Sequence, residues 1–270
     1  MPQDWLIRGP PARRPEASAL HTYLLDADDE LAEQFDLRTR IAVRQGTTIR
    51  VMATEVGECD LRQLLERVRD GFGLLVLDGL LAHETRLGGR SAAELVGAGD
   101  LVQGTVACDE ELLECEDSWR ALWPSRLGLL DAEFCERVRP WPAVARALVR
   151  RGSRRAAALN RVRAISSHPR LEVRLDLLFW FLAARWGRVE RGGIRLTLPL
   201  THRLLGELVA AERPSICHAL ARLSHAGLVV GQTGDWHLVG GAVEHLQVLL
   251  DHPVRLAPRS GAGPGRGRPA

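Results

Sequence analysis

The sequence contains no lysine, and all 36 of its basic residues are arginine. That bias reads as the codon habit of a GC-rich genome and not as a functional choice. No run of eighteen apolar residues occurs, which excludes a helix of membrane-spanning length, and no signal-peptide pattern stands at Met1-Pro2-Gln3-Asp4. A cytoplasmic protein without membrane contact is therefore expected. The five cysteines have no paired spacing, which argues against a disulfide framework. The nine histidines have no metal-ligand spacing, and no Ser–His–acid or paired-carboxylate pattern stands out. Nothing here reads as a catalytic centre or a metal site.

What the chain does have is segregated charge. The net value of +2 conceals 14 Arg against 25 Asp/Glu in residues 1–135, net −11, and 22 Arg against 9 Asp/Glu in residues 136–270, net +13. An acidic half joined to a basic half suits a sensor fused to a phosphate-binding module. At 270 residues both can carry a core.

The most informative stretch runs from Leu200 to Leu238. Thr201 stands as an N-cap before Leu204, Leu205, Leu208 and Val209, one apolar stripe at helical spacing. Ala210 and Ala211 allow a tight bend. Ile216, Ala219, Leu220 and Leu223 then recur at i, i+3, i+4 and i+7, which places Ser215, His218 and Arg222 on the opposite face. Pro214 suits the first helical position, and Gly227 suits the end. Leu228-Val229-Val230 and Trp236-His237-Leu238-Val239 read as two strands around Gly231-Gln232-Thr233-Gly234. Helix, turn, helix and hairpin make a winged helix-turn-helix. An ordinary helical hairpin followed by a surface loop has the same spacing. The polar row favours the first reading: a helix entering the major groove needs short or hydrogen-bonding side chains near its start, flanked by cations.

Ahead of this stretch, residues 1–18 read as a loose Pro- and Arg-rich arm, and Ala27 to Phe35 as a short acidic helix. Period-two alternation predicts strands at Arg40–Arg44 and Ile49–Ala53, with a brief helix at Leu61–Arg69. Asp78-Gly79 between apolar runs predicts a two-residue hairpin turn, and Gly88-Gly89 another. Ser91-Ala92-Ala93-Glu94 has the form of a capping box, but Gly97, Gly99 and Asp100 would stop a helix at once, so none is expected there. A long helix should run from Pro142 to about Ser167, its core side near a 3.5 spacing through Trp141, Val144, Ala145, Leu148, Leu159, Val162 and Ile165. His168-Pro169 ends it. Leu171 to Trp186 forms an amphipathic helix, Gly187 to Gly193 a turn, and Ile194 to Leu198 a strand.

Leu200 to Leu223 closely resembles the DNA-binding motif of the Crp/Fnr family of bacterial regulators, and Glu94-Leu95-Val96-Gly97-Ala98-Gly99-Asp100-Leu101 resembles an element of that family's β-roll sensor. The resemblance covers most of the chain. It implies an α+β protein: a cyclic-nucleotide-binding-like β-roll (19–139), a dimerisation helix (140–168), a winged helix-turn-helix (169–240) and a tail (241–270). It also implies a homodimer on palindromic double-stranded DNA, with RNA polymerase as a further partner. The candidate DNA contacts are Thr201, His202, Arg213, Pro214, Ser215, His218, Arg222 and Thr233; the resemblance makes Arg213 a base reader and Ser215 a phosphate contact. Two departures, Pro214 for the family's Glu and His218 for its Arg, mean that the family's half-site does not carry over.

Nucleotide-binding members follow the roll element with an Arg that pairs with the cyclic phosphate. Here no Arg occurs between Arg90 and Arg120, while Asp109, Glu110, Glu111, Glu114, Glu116 and Asp117 crowd that segment, so cyclic AMP is not expected. No cofactor is expected either. Cys108, Cys115 and Cys135 suggest either a thiolate site or isolated buried thiols, and the family's iron–sulfur members carry an N-terminal cysteine cluster that is absent here. Two other classes stay open: a ligand-binding or redox enzyme built on the roll, and a module in which the winged helix binds protein.

Overall fold

The computed structural model describes residues 21–103, 115–242 and 245. The acidic segment 109–114, Cys108, the arm 1–18 and most of the tail lie outside the described residues. The chain begins with β1 (His21–Tyr23), α1 (Leu24–Ala27), α2 (Asp29–Ala32), α3 (Leu37–Gly46), β2 (Thr48–Thr54), β3 (Gly57–Cys59) and α4 (Arg62–Arg67). Then come β4 (Gly73–Leu87), β5 (Arg90–Gly97), β6 (Leu101–Val102), β7 (Glu116–Leu130) and α5 (Ala132–Val138). The C-terminal half holds α6 (Pro142–Ser166), α7 (Leu171–Trp186), β8 (Gly187–Glu190), β9 (Gly193–Leu196), α8 (His202–Val209), α9 (Arg213–His225), β10 (Val229–Gln232) and β11 (Asp235–Val239).

Among the described residues the N-terminal strands form one antiparallel sheet in the order β1-β2-β7-β4-β5, with β3 paired to β7 and β6 to β4. The expected turn at Asp78-Gly79 is absent. Both residues lie inside the 15-residue β4, where the register against β7 shifts around them. The cause is across the sheet: Gly79 has φ +99°, and any Cβ there would run into the side chain and backbone of Ser125. The glycine therefore serves a bulge and a close approach, not a reversal. Gly88 and Gly89, both at positive φ, do form the turn, joining β4 to β5. Ser91 to Glu94 lies in β5, so no helix starts there.

The strand expected at Arg40–Arg44 is helix α3 instead. Asp36 caps it by accepting hydrogen bonds from the amides of Arg38 and Thr39 at 2.9 and 3.0 Å, and only Val43 is buried along it. Leu37 and Ile41 are exposed, so the alternation in this segment did not mark a buried face. The acidic helix expected at Ala27–Phe35 is two short helices, α1 and α2, separated at Asp28, whose side chain caps the second. Gly187 to Gly193 contains β8 as well as a turn, so the C-terminal sheet has four strands in the order β10-β11-β9-β8.

Helix α6 matches its expected span. It buries Val144, Ala147, Leu148, Arg151 and Ile165 against the rest of the chain, while Leu159 is exposed. Helix α7 buries Val173, Leu175, Leu178, Phe179 and Leu182 beneath α8, α9 and the small sheet. That apolar cluster does not stop at the C-terminal module: Leu80 and Ala82 of β4 belong to it, and Ala93, Leu95 and Trp123 pack on it. The large sheet and the C-terminal helices thus share one core.

Candidate nucleic-acid interface

Thr201 caps α8 by accepting a hydrogen bond from the Leu204 amide at 3.2 Å. The helix ends at Ala210, which adopts the left-handed conformation (φ 56°, ψ 53°), and the Ala211 amide donates back to the Gly206 carbonyl at 2.9 Å. Gly206 is required at this corner, because a Cβ would press on the Ala211 carbonyl. The chain then enters α9 with Pro214 in its first turn, where a missing N–H costs nothing.

Ile216, Ala219 and Leu223 are fully buried against the apolar side of α8 and α7. Removing an Ile or Leu side chain from water is worth about 1.5–3 kcal/mol, so the roll angle of α9 is fixed by what lies behind it. The opposite side is left in solvent. Arg213, Pro214, Ser215, His218 and Arg222 are all exposed, and among the described residues Arg213, Ser215 and His218 make no side-chain hydrogen bond or ion pair. The helix ends in a Schellman-type closure, with the Leu228 amide donating to the Leu223 carbonyl at 3.0 Å and Gly227 at φ +69°. Thr233 is exposed at the β10–β11 turn.

Besides Thr201, which caps α8, two of the candidates have intramolecular partners. The Arg222 guanidinium pairs with Glu172 in the first turn of α7, which tethers the far end of α9 to the neighbouring helix. His202 Nδ1 lies 3.1 Å from Cys217 Sγ. Cys217 is exposed on α9 and escaped notice in the sequence because it falls one position away from His218 on the polar row. The remaining thiols of the described residues are also free. Cys115 is exposed, contrary to the buried alternative, whereas burial pushes the half-buried Cys59 and Cys135 thiols up. Among the described residues no group of three or more His, Cys, Asp or Glu is placed to hold a metal ion.

The electrostatics of this surface follow from its few acids. Residues 201–240 contain only Glu207, Glu212 and Asp235, and each carboxylate meets an arginine. Glu207 accepts from Arg203 at 2.8 Å, and Asp235 from Arg195 at 2.7 and 2.9 Å. The hydrogen bond from Arg195 holds the Asp235 carboxyl below its ordinary value, and the one that Arg203 donates to Glu207 raises the Arg203 guanidinium above its own. Glu212, the residue just before α9, is reached by Arg90 from the β4–β5 turn at 2.8 Å.

In the roll, two of the acids that weigh against a bound anion have partners of their own. Glu116 pairs with Arg86 at 3.3 Å, and Asp117 faces His83 Nε2 at 3.0 Å and accepts from Thr85 at 2.7 Å. No helix among the described residues is long and apolar enough to cross a membrane.

No protein-family model matches the sequence, and no curated protein matches it. Solved structures do. FixK2 from Bradyrhizobium japonicum superposes with a TM-score of 0.55 at 14% identity, over 77% of this chain and 99% of that one. A CooA double mutant from Carboxydothermus hydrogenoformans gives 0.55 at 14%, over 74% and 87%. CLP from Xanthomonas campestris, described as a c-di-GMP-responsive global regulator, gives 0.53 at 16%, over 72% and 95%. At such identities the likeness is one of architecture: the chain has the fold of Crp/Fnr-type regulators, a cyclic-nucleotide-binding-like sheet domain followed by a long helix and a winged helix-turn-helix.

Proposed function

We propose that the protein is a sequence-specific DNA-binding transcription regulator that acts as a homodimer, and that it is not an enzyme. The observation that carries this is the division of α9 into two sides. Its aliphatic side is sealed against α7 and α8, and its other side offers Arg213, Ser215 and His218 to solvent with no internal partner among the described residues. Unpaired hydrogen-bonding groups of this kind at the start of a helix suit base edges and phosphates in a major groove. In this reading Arg213 contacts a guanine edge, Ser215 a phosphate, and Thr201, His202 and Thr233 the flanking backbone. Arg222 serves mainly to fix α9 on α7.

The dimer would form along α6. Its side away from the roll carries Val149, Gly152, Ala156 and Leu159 at helical spacing, with Val149 and Leu159 exposed in the single chain. A second copy would cover this stripe. FixK2 and CLP, which share the fold, lend the reading support, CLP being described as a regulator. Cyclic AMP is not the ligand we propose for the roll, since 109–117 supplies carboxylates and no arginine. The direct test is equilibrium binding of the full chain to mixed-sequence duplex DNA at low salt. Wild type should bind, and Arg213→Glu/His218→Glu should bind much more weakly while unfolding at the same temperature. Equal binding by the two proteins would refute the role of α9.

A further inference from the structure

Three carboxylates border the surface that would face DNA, and two of their arginine partners, Arg203 and Arg195, come from the same module. The third does not. Arg90 sits at the foot of the β4–β5 turn of the large sheet, 122 residues away from Glu212, and its guanidinium crosses to the leading edge of α9. The hairpin is placed for this by the core that it shares with α8, in which Ala93 and Leu95 of β5 pack on the cluster holding Leu204, Leu205 and Leu208. Arg203 of α8 reaches back to Glu84 of β4 at 3.2 Å, which fixes the same approach from the other side.

Exposed ion pairs contribute little stability, and Arg90 and Glu212 are exposed over 77% and 70% of their side chains. The pair is therefore a poor structural tether but a well-placed charge. Among the described residues, only one of the five guanidinium N–H groups of Arg90, on Nη1, is engaged, which leaves the others for oxygen acceptors. Arg213, the residue after Glu212, begins a 13-residue helix whose dipole favours an anion at that end.

We propose that Arg90, although carried by the sensor sheet, is part of the DNA interface: it offsets the one carboxylate on the leading edge of α9 and adds a phosphate contact of its own. The inference rests on the DNA-binding reading above and deepens it, since DNA affinity then depends on the β4–β5 hairpin being docked. The roll gains an electrostatic route to the reading head that does not pass through α6.

The experiment is the salt dependence of binding to one mixed-sequence duplex by full-length wild type, Arg90→Ala, Glu212→Gln and the double variant. Each phosphate neutralised contributes about 0.9 to the slope of log K against log salt. Arg90→Ala should lower that slope by about one unit and weaken binding without altering the unfolding temperature, and it should do so again in the Glu212→Gln background. If Arg90→Ala leaves the slope unchanged, or loses its effect once Glu212 is neutral, Arg90 makes no phosphate contact and the inference fails alone. If wild type shows no affinity and no slope, the regulator reading falls first and takes the inference with it.

Discussion

Helices α6 and α9 both carry arginine, and they use it in opposite ways. In α6 three of the arginine side chains turn toward acids of the N-terminal half: Arg151 hydrogen-bonds Asp28 at 2.7 Å and the Gly99 carbonyl at 2.9 Å, Arg154 pairs with Glu30 at 2.9 Å, and Arg155 pairs with Glu94. In α9 the cation at the start of the helix has no such partner among the described residues. The difference explains the charge asymmetry of the sequence better than a sensor-plus-DNA account alone. Part of the basic excess of the second half is spent on the acids of the first, through Arg151, Arg154 and Arg155, and again through Arg185, which pairs with Asp100 at 2.7 Å, and Arg203 with Glu84. Only what is left over would be available to the DNA proposed as its partner.

The comparison can be broken most severely at Arg151. Its side chain is 2% exposed and that of Asp28 8%, so Arg151→Ala strands a buried carboxylate and the Gly99 carbonyl together. A loss of about 3–5 kcal/mol is expected for removing one partner of a buried pair, read as a lower urea midpoint. Arg213→Ala is the converse case. It should cost about 1–3 kcal/mol of binding to the preferred site and relax preference at one base, with the urea midpoint unchanged.

The Glu94 pair sharpens the contrast through pH. Burial pushes the Glu94 carboxyl up, but hydrogen bonds from His83 and Arg155 outweigh it and hold the group below its ordinary value. A depressed carboxyl stabilises the fold at pH above its ordinary value, and this contribution is lost as pH falls through the lowered one. Unfolding temperatures followed from about pH 6 downward should therefore decline at a higher pH in Arg155→Gln than in wild type. The smallest effect belongs to Arg154→Ala. Both members of the Arg154–Glu30 pair are more than half exposed, and the expected change in unfolding free energy is at most about 1 kcal/mol. A loss as large as that of Arg151→Ala would erase the distinction between buried and surface arginines in α6.

Elements governed by neighbours in the chain were readable from the sequence. Thr201, Pro214 and Gly227 mark helix ends through backbone rules that act within one turn, and the aliphatic spacing of α6 to α9 does the rest. Where a distant strand decides, local signals misled. Asp78-Gly79 has turn chemistry, yet Ser125 on β7 is what requires the glycine. Segment 40–44 alternates, yet the Asp36 cap and the absence of a second apolar face to bury make it helical. The polar row of α9 was legible as a row, but not the division of labour within it: that Arg222 is bound to Glu172, or that Arg90 stands beside Glu212, cannot be inferred from spacing.

The central claim is that two copies of α9 present their polar sides to the same face of a duplex. Selection of bound sites from random DNA by the full-length protein tests it most directly. The account predicts an enriched two-fold-symmetric motif whose half-sites are centred about one helical turn, roughly 34–36 Å, apart. Recovery of no motif, or of one with no internal symmetry, would contradict it.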